Sequence, residues 1–234
     1  MVSLTGCAEG VFHITIHKNG TADLNYMVGI DNNLYSLMTE FASNSSKSDP
    51  FAEFRKSAET RGFTVQNFHN TKMTGVVATK HVNSLGGIPN FNSLNGRAVG
   101  QQGNGFAVTK KFFTTDYRLN TDIDLSNMAN SSQEQLQELG NAILGSSNNM
   151  ITLQLMLTLP FKAESNNASK VLDNGRTLVW NLIPGRTNPI QMAATMPNLL
   201  NIAVTILGLL IVIGGLSALW ILRKRKAVSG SVAP

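Results

Sequence analysis

The chain predicts an α+β domain followed by one transmembrane helix. Three observations carry this expectation. Apolar residues alternate at period two near the N-terminus, short helical patterns interrupt the strands without regular strand–helix–strand repetition, and 21 uncharged residues run from Ile202 to Leu222. The strands are expected to form an antiparallel sheet with helices packed on one face.

The elements follow in order. Gly10–Ile16 alternates weakly, and Lys18-Asn19-Gly20-Thr21 supplies an Asn-Gly turn of the kind that closes a two-residue hairpin. Ala22, Leu24, Tyr26, Val28 and Ile30 then alternate with polar or small residues, the pattern of a half-buried strand. Leu34, Leu37, Met38 and Phe41 fall at helical spacing after Asp31, a capping residue. Asp49-Pro50 opens a second helix, with Phe51, Phe54 and Ala58 on one face and Gly62 as its stop. Phe63–Phe68 and Val76–Val82 read as a strand pair, and Asn83–Gly96 as a loop carrying Leu85, Ile88, Phe91 and Leu94. Gly105–Phe113 and Thr115–Leu125 are expected as strands and Ser132–Leu144 as a helix. Met150–Leu159 and Arg176–Ile183 are the last expected strands, and Pro184–Met196 a short tether.

The membrane segment follows from length and composition. Thirteen of the 21 residues Ile202–Leu222 are Leu, Ile or Val. Each favours insertion by roughly 0.3–0.6 kcal/mol, and no charge opposes them. Trp220 stands near one end, as interfacial indoles do. Arg223, Lys224, Arg225 and Lys226 follow directly, and basic residues stay on the cytoplasmic side. Topology therefore puts the body outside and the C-terminus inside. These four residues also account for most of the formal net charge of +5. The body is nearly neutral, which gives no footprint for nucleic acid. Gly214 and Ala218, four apart, would let another helix approach closely.

At the other end, Leu4-Thr5-Gly6-Cys7 looks like a bacterial lipobox and holds the single cysteine. Met1–Cys7 is expected to be the remnant of a signal peptide, with Cys7 as the lipidated residue. The expected organisation is residues 1–7 as this remnant, 8–183 as the extracytoplasmic domain, 184–198 as a linker, 199–222 as the transmembrane helix and 223–234 as a cytoplasmic basic tail.

No constellation in the sequence points to catalysis. His13 and His17 have ligand-like spacing, but they lie in a strand and its turn with no supporting Cys or carboxylate pair. Asp122 and Asp124 share a strand face without a partner base or nucleophile and read as strand-end or turn residues. Gly100-Gln101-Gln102-Gly103-Asn104-Gly105 lacks the Lys-Ser/Thr pair and following helix of a phosphate loop. The expectation is a non-enzyme with no cofactor and no metal.

From Cys7 to the tail the layout resembles the LppM family of bacterial envelope lipoproteins. The resemblance is carried by Leu4-Thr5-Gly6-Cys7, by the hairpin at Asn19-Gly20-Thr21, and by a late run. That run is Leu159-Pro160-Phe161-Lys162, Ser165-Asn166-Asn167-Ala168 and Leu178-Val179-Trp180-Asn181-Leu182 with Pro184-Gly185. The resemblance implies an exported domain with a fold like that of lipid-binding proteins and a role in binding envelope lipids. The expected function is a bacterial single-pass membrane protein whose outer domain binds an envelope lipid or amphiphile, in an apolar cleft lined by Leu37, Met38, Phe41, Phe51 and Phe54. The alternative is a non-enzymatic scaffold or regulatory module for a membrane protein complex. The partners expected are membrane lipid and other membrane proteins.

Overall fold

A computed structural model of the chain describes residues 7–42, 49–89, 105–126 and 151–229. The expected helix Ser132–Leu144, the lipobox residues Leu4–Gly6, the loop residues Phe91 and Leu94, and most of the Gly100–Gly105 loop lie outside the described residues. The chain divides into two compact units. One comprises Met1–Ala107 with Tyr117–Ala194, and the other Val108–Asp116 with Thr195–Pro234.

The fold is α+β, with two sheets. The first has seven strands: β1 (Ala8–Ile16), β2 (Ala22–Asp31), β3 (Thr64–His69), β4 (Met73–Val82), β7 (Ile151–Thr158), β9 (Lys170–Leu172) and β10 (Thr177–Leu182). Their spatial order is β3-β4-β2-β1-β7-β10-β9. The second orders β5 (Phe106–Lys110), β6 (Thr114–Asp124), β11 (Thr187–Pro197) and β8 (Ser165–Asn166) as β5-β6-β11-β8. The helices are α1 (Asn32–Ala42), α2 (Ala52–Thr60) and α3 (Leu199–Ser229).

The first hairpin differs in one detail from the expected two-residue turn. The His17 N–H bonds the Thr21 carbonyl at 2.9 Å and the Gly20 N–H bonds the His17 carbonyl at 3.0 Å, so the loop holds three residues. Gly20 takes φ +86°, the left-handed position that closes such a loop and that a glycine enters without a Cβ clash. Asp31 caps α1, accepting the Asn33 N–H at 2.9 Å. Asp49 accepts the Phe51 N–H at 2.9 Å and opens the turn into α2. At the other end the Gly62 N–H bonds Glu59 O and the Phe63 N–H bonds Ala58 O, closing the helix C-terminus.

One face of the large sheet is the core. Phe12, Ile14 and Ile16 of β1 alternate inward with Leu24, Val76, Ala78, Leu155, Leu157, Leu178 and Trp180 from its neighbours. Helix α2 packs on this face: the Phe54 ring lies 5.2 Å from Tyr26, which meets Phe12 edge-on at 5.3 Å. Near the other edge the indole N–H of Trp180 donates to Asn167 Oδ1 at 2.7 Å. The same oxygen accepts the Gln191 N–H at 2.8 Å, tying the large sheet to β11.

Two expectations are corrected. The large sheet is not wholly antiparallel, because β1 and β7 pair in parallel from Ala8↔Ile151 to Thr15↔Thr158. A parallel neighbour requires a long crossover, and more than 130 residues separate these partners. The segment assigned to a linker at 184–198 is instead largely strand β11. Asn188, Ile190, Met192 and Ala194 alternate inward there and are buried, so the chain is packed almost to the start of α3.

Candidate functional site

Helices α1 and α2 and the β3–β4 end of the large sheet flank a half-open pocket of about 440 Å³. It is lined by Tyr35, Asp49, Phe51, Arg55, Asn67, Phe68, His69, Thr74 and Gly75. The helical periodicity of α1 turns Tyr35 towards α2, where its ring stacks on Phe51 with centroids 6.2 Å apart and planes 12° apart. Phe68 pairs with Gly75 in the β3–β4 ladder, and its ring lies over Gly75 and Gly29 on the sheet face opposite α2, where neither glycine has a side chain to displace it.

The polar lining falls into two groups that satisfy each other. The Arg55 guanidinium pairs with the Asp49 carboxylate and donates to Asn67 Oδ1 at 2.6 Å. His69 Nδ1 and the Thr74 hydroxyl are 2.7 Å apart, and that hydroxyl donates to Asn32 Oδ1 at 2.8 Å. The pocket is thus amphipathic, with an aromatic wall beside a cation and a histidine. Its volume falls within the roughly 300–1,000 Å³ of small-molecule sites.

The five cleft residues expected from sequence distribute differently. Phe51 lines the pocket, although it is also buried core at 4% exposure. Leu37 and Met38 are half-buried on α1, and Phe54 packs on Tyr26; none of the three is in the pocket lining. Phe41 stands in the last turn of α1, and its side chain lies outside the described residues. Sequence reasoning missed the polar lining because Asn67, His69 and Thr74 join it only through β3–β4 pairing. The signal that could have found Arg55 was its place in the first turns of α2, six residues after Asp49, whose carboxylate opens the turn into the helix.

The histidines have separate roles. Asp23 accepts from His81 Nδ1 at 2.6 Å and from His17 Nε2 at 2.8 Å, and these two bonds hold its carboxyl below the usual carboxylate range. His13, on the face of β1 opposite the core, lies 2.9 Å from the Thr158 hydroxyl. A chain continues through Thr177 at 3.0 Å to Asp173 Oδ2 at 2.6 Å. Because Asp173 accepts from Thr177, Thr177 accepts from Thr158, and Thr158 in turn accepts from His13 Nε2–H. Burial lowers the pKa of His13 and keeps the imidazole neutral, in keeping with this tautomer. Asp124 Oδ1 accepts the Ser126 N–H at 2.9 Å, a turn-closing role.

Cys7 is a free, half-exposed thiol just before β1, and its carbonyl accepts the Asp31 N–H at 2.8 Å. At the C-terminal end, Leu199–Trp220 is long and apolar enough to cross a membrane, and none of its apolar window is buried. The α3 backbone continues through Arg223–Lys226, whose side chains lie outside the described residues.

A sequence family described as "Protein of unknown function (DUF3153)" matches residues 110–229, just over half of the chain. Among solved structures, the NMR structure of the folded domain of Mycobacterium tuberculosis LppM is similar. The TM-score is 0.46 at 13% identity, covering 85% of this chain and 95% of that one. No curated protein matches the sequence.

Proposed function

The chain belongs to the family described as protein of unknown function DUF3153, and we propose that it is a membrane-anchored extracytoplasmic domain that binds an envelope lipid or amphiphile. The observation that carries this reading is α3. Its 22 residues Leu199–Trp220 extend about 33 Å at 1.5 Å per residue, against a hydrocarbon core of about 30 Å. The basic run Arg223–Lys226 at its far end supports a cytoplasmic C-terminus and an outer body. The α1–α2 pocket supplies the binding half of the reading. An acyl or other apolar group would lie against Tyr35 and Phe51, with a polar head beside Arg55 and His69.

Binding is tested on the full chain purified in detergent, by mass spectrometry of the lipids it retains. Asn67 is exposed and lines the pocket, so Asn67→Trp fills the space without disturbing a core residue. One lipid class retained by the unaltered chain and depleted at least about tenfold in the variant is the expected result, equivalent to ~1.4 kcal/mol. Equal retention, or none, turns the reading to the non-enzymatic scaffold of a membrane protein complex.

Orientation is tested with a protease added to intact protoplasts. The body should be digested and an epitope placed after Ala233 spared. The tetrad Leu4–Cys7 supports a lipidated Cys7 in the mature protein. Metabolic labelling with a fatty-acid analogue should disappear in Cys7→Ala while α3 keeps the chain in the membrane.

A further inference from the structure

We propose that the tip of the β5–β6 hairpin, Lys110–Phe113, is a second membrane contact that seats in the lipid headgroup layer beside the first turn of α3. The proposal rests on the reading that α3 spans the bilayer, and goes beyond it by assigning a lipid contact to the folded part of the chain.

Depth comes first. The Asn198 N–H, at the entry to α3, donates to the Phe113 carbonyl at 2.7 Å. The Asn201 side-chain amide, in the first turn of α3, donates to the Phe112 carbonyl at 2.7 Å. Asn198 Oδ1 also accepts the Asn201 N–H at 3.4 Å. The apolar span begins at Leu199, so these bonds fix the tip at the level where the helix enters the bilayer.

The side chains suit that level. Phe112 is 63% exposed and Phe113 45%, with their rings edge-to-face at 4.8 Å. Leu199 and Leu200, in the adjoining helical turn, are 72% and 73% exposed. Exposed aromatic rings beside a span are the composition of a membrane–water interface. Lys110 and Lys111 precede the rings and are exposed, with Lys111 Nζ 2.6 Å from Asp116 Oδ2. Lysines in this position meet lipid phosphates while their methylene stems lie along apolar surface. The backbone is also prepared for the site. The Phe112 and Phe113 carbonyls already have donors, and the Lys111 N–H bonds the Thr114 carbonyl at 2.7 Å. Entering a poorly hydrated layer therefore leaves these groups paired. Continuity with the span selects a lipid surface over a protein partner as the occupant.

The test uses the full chain in a Cys7→Ser background, reconstituted in vesicles of phosphatidylcholine and phosphatidylglycerol. Nitroxide labels are placed singly at Phe112→Cys, Phe113→Cys, Val204→Cys and Arg118→Cys. Collision with oxygen, which concentrates in lipid, is compared with collision with a water-soluble nickel chelate. The labels at 112 and 113 should favour oxygen several-fold over the label at 118 and lie shallower than the label at 204. If they match the label at 118 while 204 lies in lipid, the span stands and the hairpin proposal fails. If 204 also matches 118, the spanning reading fails and the proposal with it. If 112 and 113 are shielded from both reagents, protein covers the tip and the proposal is overturned. A label at Lys110→Cys provides a second reporter that leaves both rings in place. Unchanged thermal unfolding of each labelled chain establishes that the fold is retained.

Discussion

The side-chain amide of Asn201 and the backbone carbonyl of Phe112 are 89 residues apart in sequence and 2.7 Å apart in space. This bond joins the first turn of α3 to a hairpin tip. Asn201→Leu removes the donor at a cost of about 1 kcal/mol to that local contact. Amide exchange within Val108–Asp116 should quicken, while the unfolding midpoint of the other unit stays where it was. Unchanged exchange would mean that the Asn198–Phe113 bond suffices to hold the tip.

Asn167 accepts from both Trp180 Nε1 and the Gln191 N–H, and its own amide donates to the Pro189 carbonyl at 2.9 Å. Asn167→Ala loses all three bonds and should destabilise the fold by about 3 kcal/mol, counting roughly 1 kcal/mol for each. Asn167→Asp keeps the acceptor oxygen and should cost less. Urea midpoints followed by Trp180 fluorescence distinguish the two.

Glu9 is 7% exposed, and burial raises its carboxyl pKa above the ordinary 4.5. A carboxyl whose folded pKa is raised binds its proton more tightly in the folded state. Stability therefore falls as pH rises from below 4.5 through the folded value, and the deficit persists at neutral pH. Glu9→Gln should raise the urea midpoint at neutral pH, and the gain should vanish in acid well below 4.5. A gain independent of pH would assign the effect to packing rather than charge.

Gly75 faces Gly29 across the β2–β4 pair. A Cβ there would collide with the Val28 carbonyl and lie 2.7 Å from both Gly29 Cα and Phe68 Cε1, so strand backbone would have to move. Gly75→Ala should cost about 3 kcal/mol. At Gly10 a Cβ would meet only the end of the Leu153 side chain, at 2.8 Å, and Gly10→Ala should cost about 1 kcal/mol. Equal midpoints for the two variants would refute the close approach at Gly75.

The elements that were legible depend on near neighbours. Asp31 announced α1 as its cap and Asp49 the turn that leads into α2, because each side chain acts on an N–H group two residues away. The alternation through Ala22–Ile30 announced β2 because successive side chains face opposite sides of a strand. Strand β11 was hidden: Pro189 and Pro197 read as loop residues, and the buried series includes Asn188 and Ala194, which carry a weak apolar signal. Asn188 is buried because its amide bonds the carbonyls of Ile183 and Arg186 while its oxygen accepts the Ile183 N–H. Those partners become available only after the chain has turned. The candidate pocket was half legible in the same way, with Phe51 evident from the α2 face and Asn67, His69 and Thr74 supplied by strand pairing.

Local composition alone was enough to specify the apolar span with its basic flank, the first hairpin, the two short helices and the α+β class, since hydropathy, turn chemistry and periodicity act over a few residues. Tertiary structure decided the parallel pairing of β1 with β7, the packing of β11, the amphipathic pocket and the seating of Phe112 and Phe113 at the start of α3. Each of these joins segments distant in sequence. Their pairing depends on which other surfaces remain to be buried and which backbone groups still lack partners, and neither condition is written in the residues on one side of the contact.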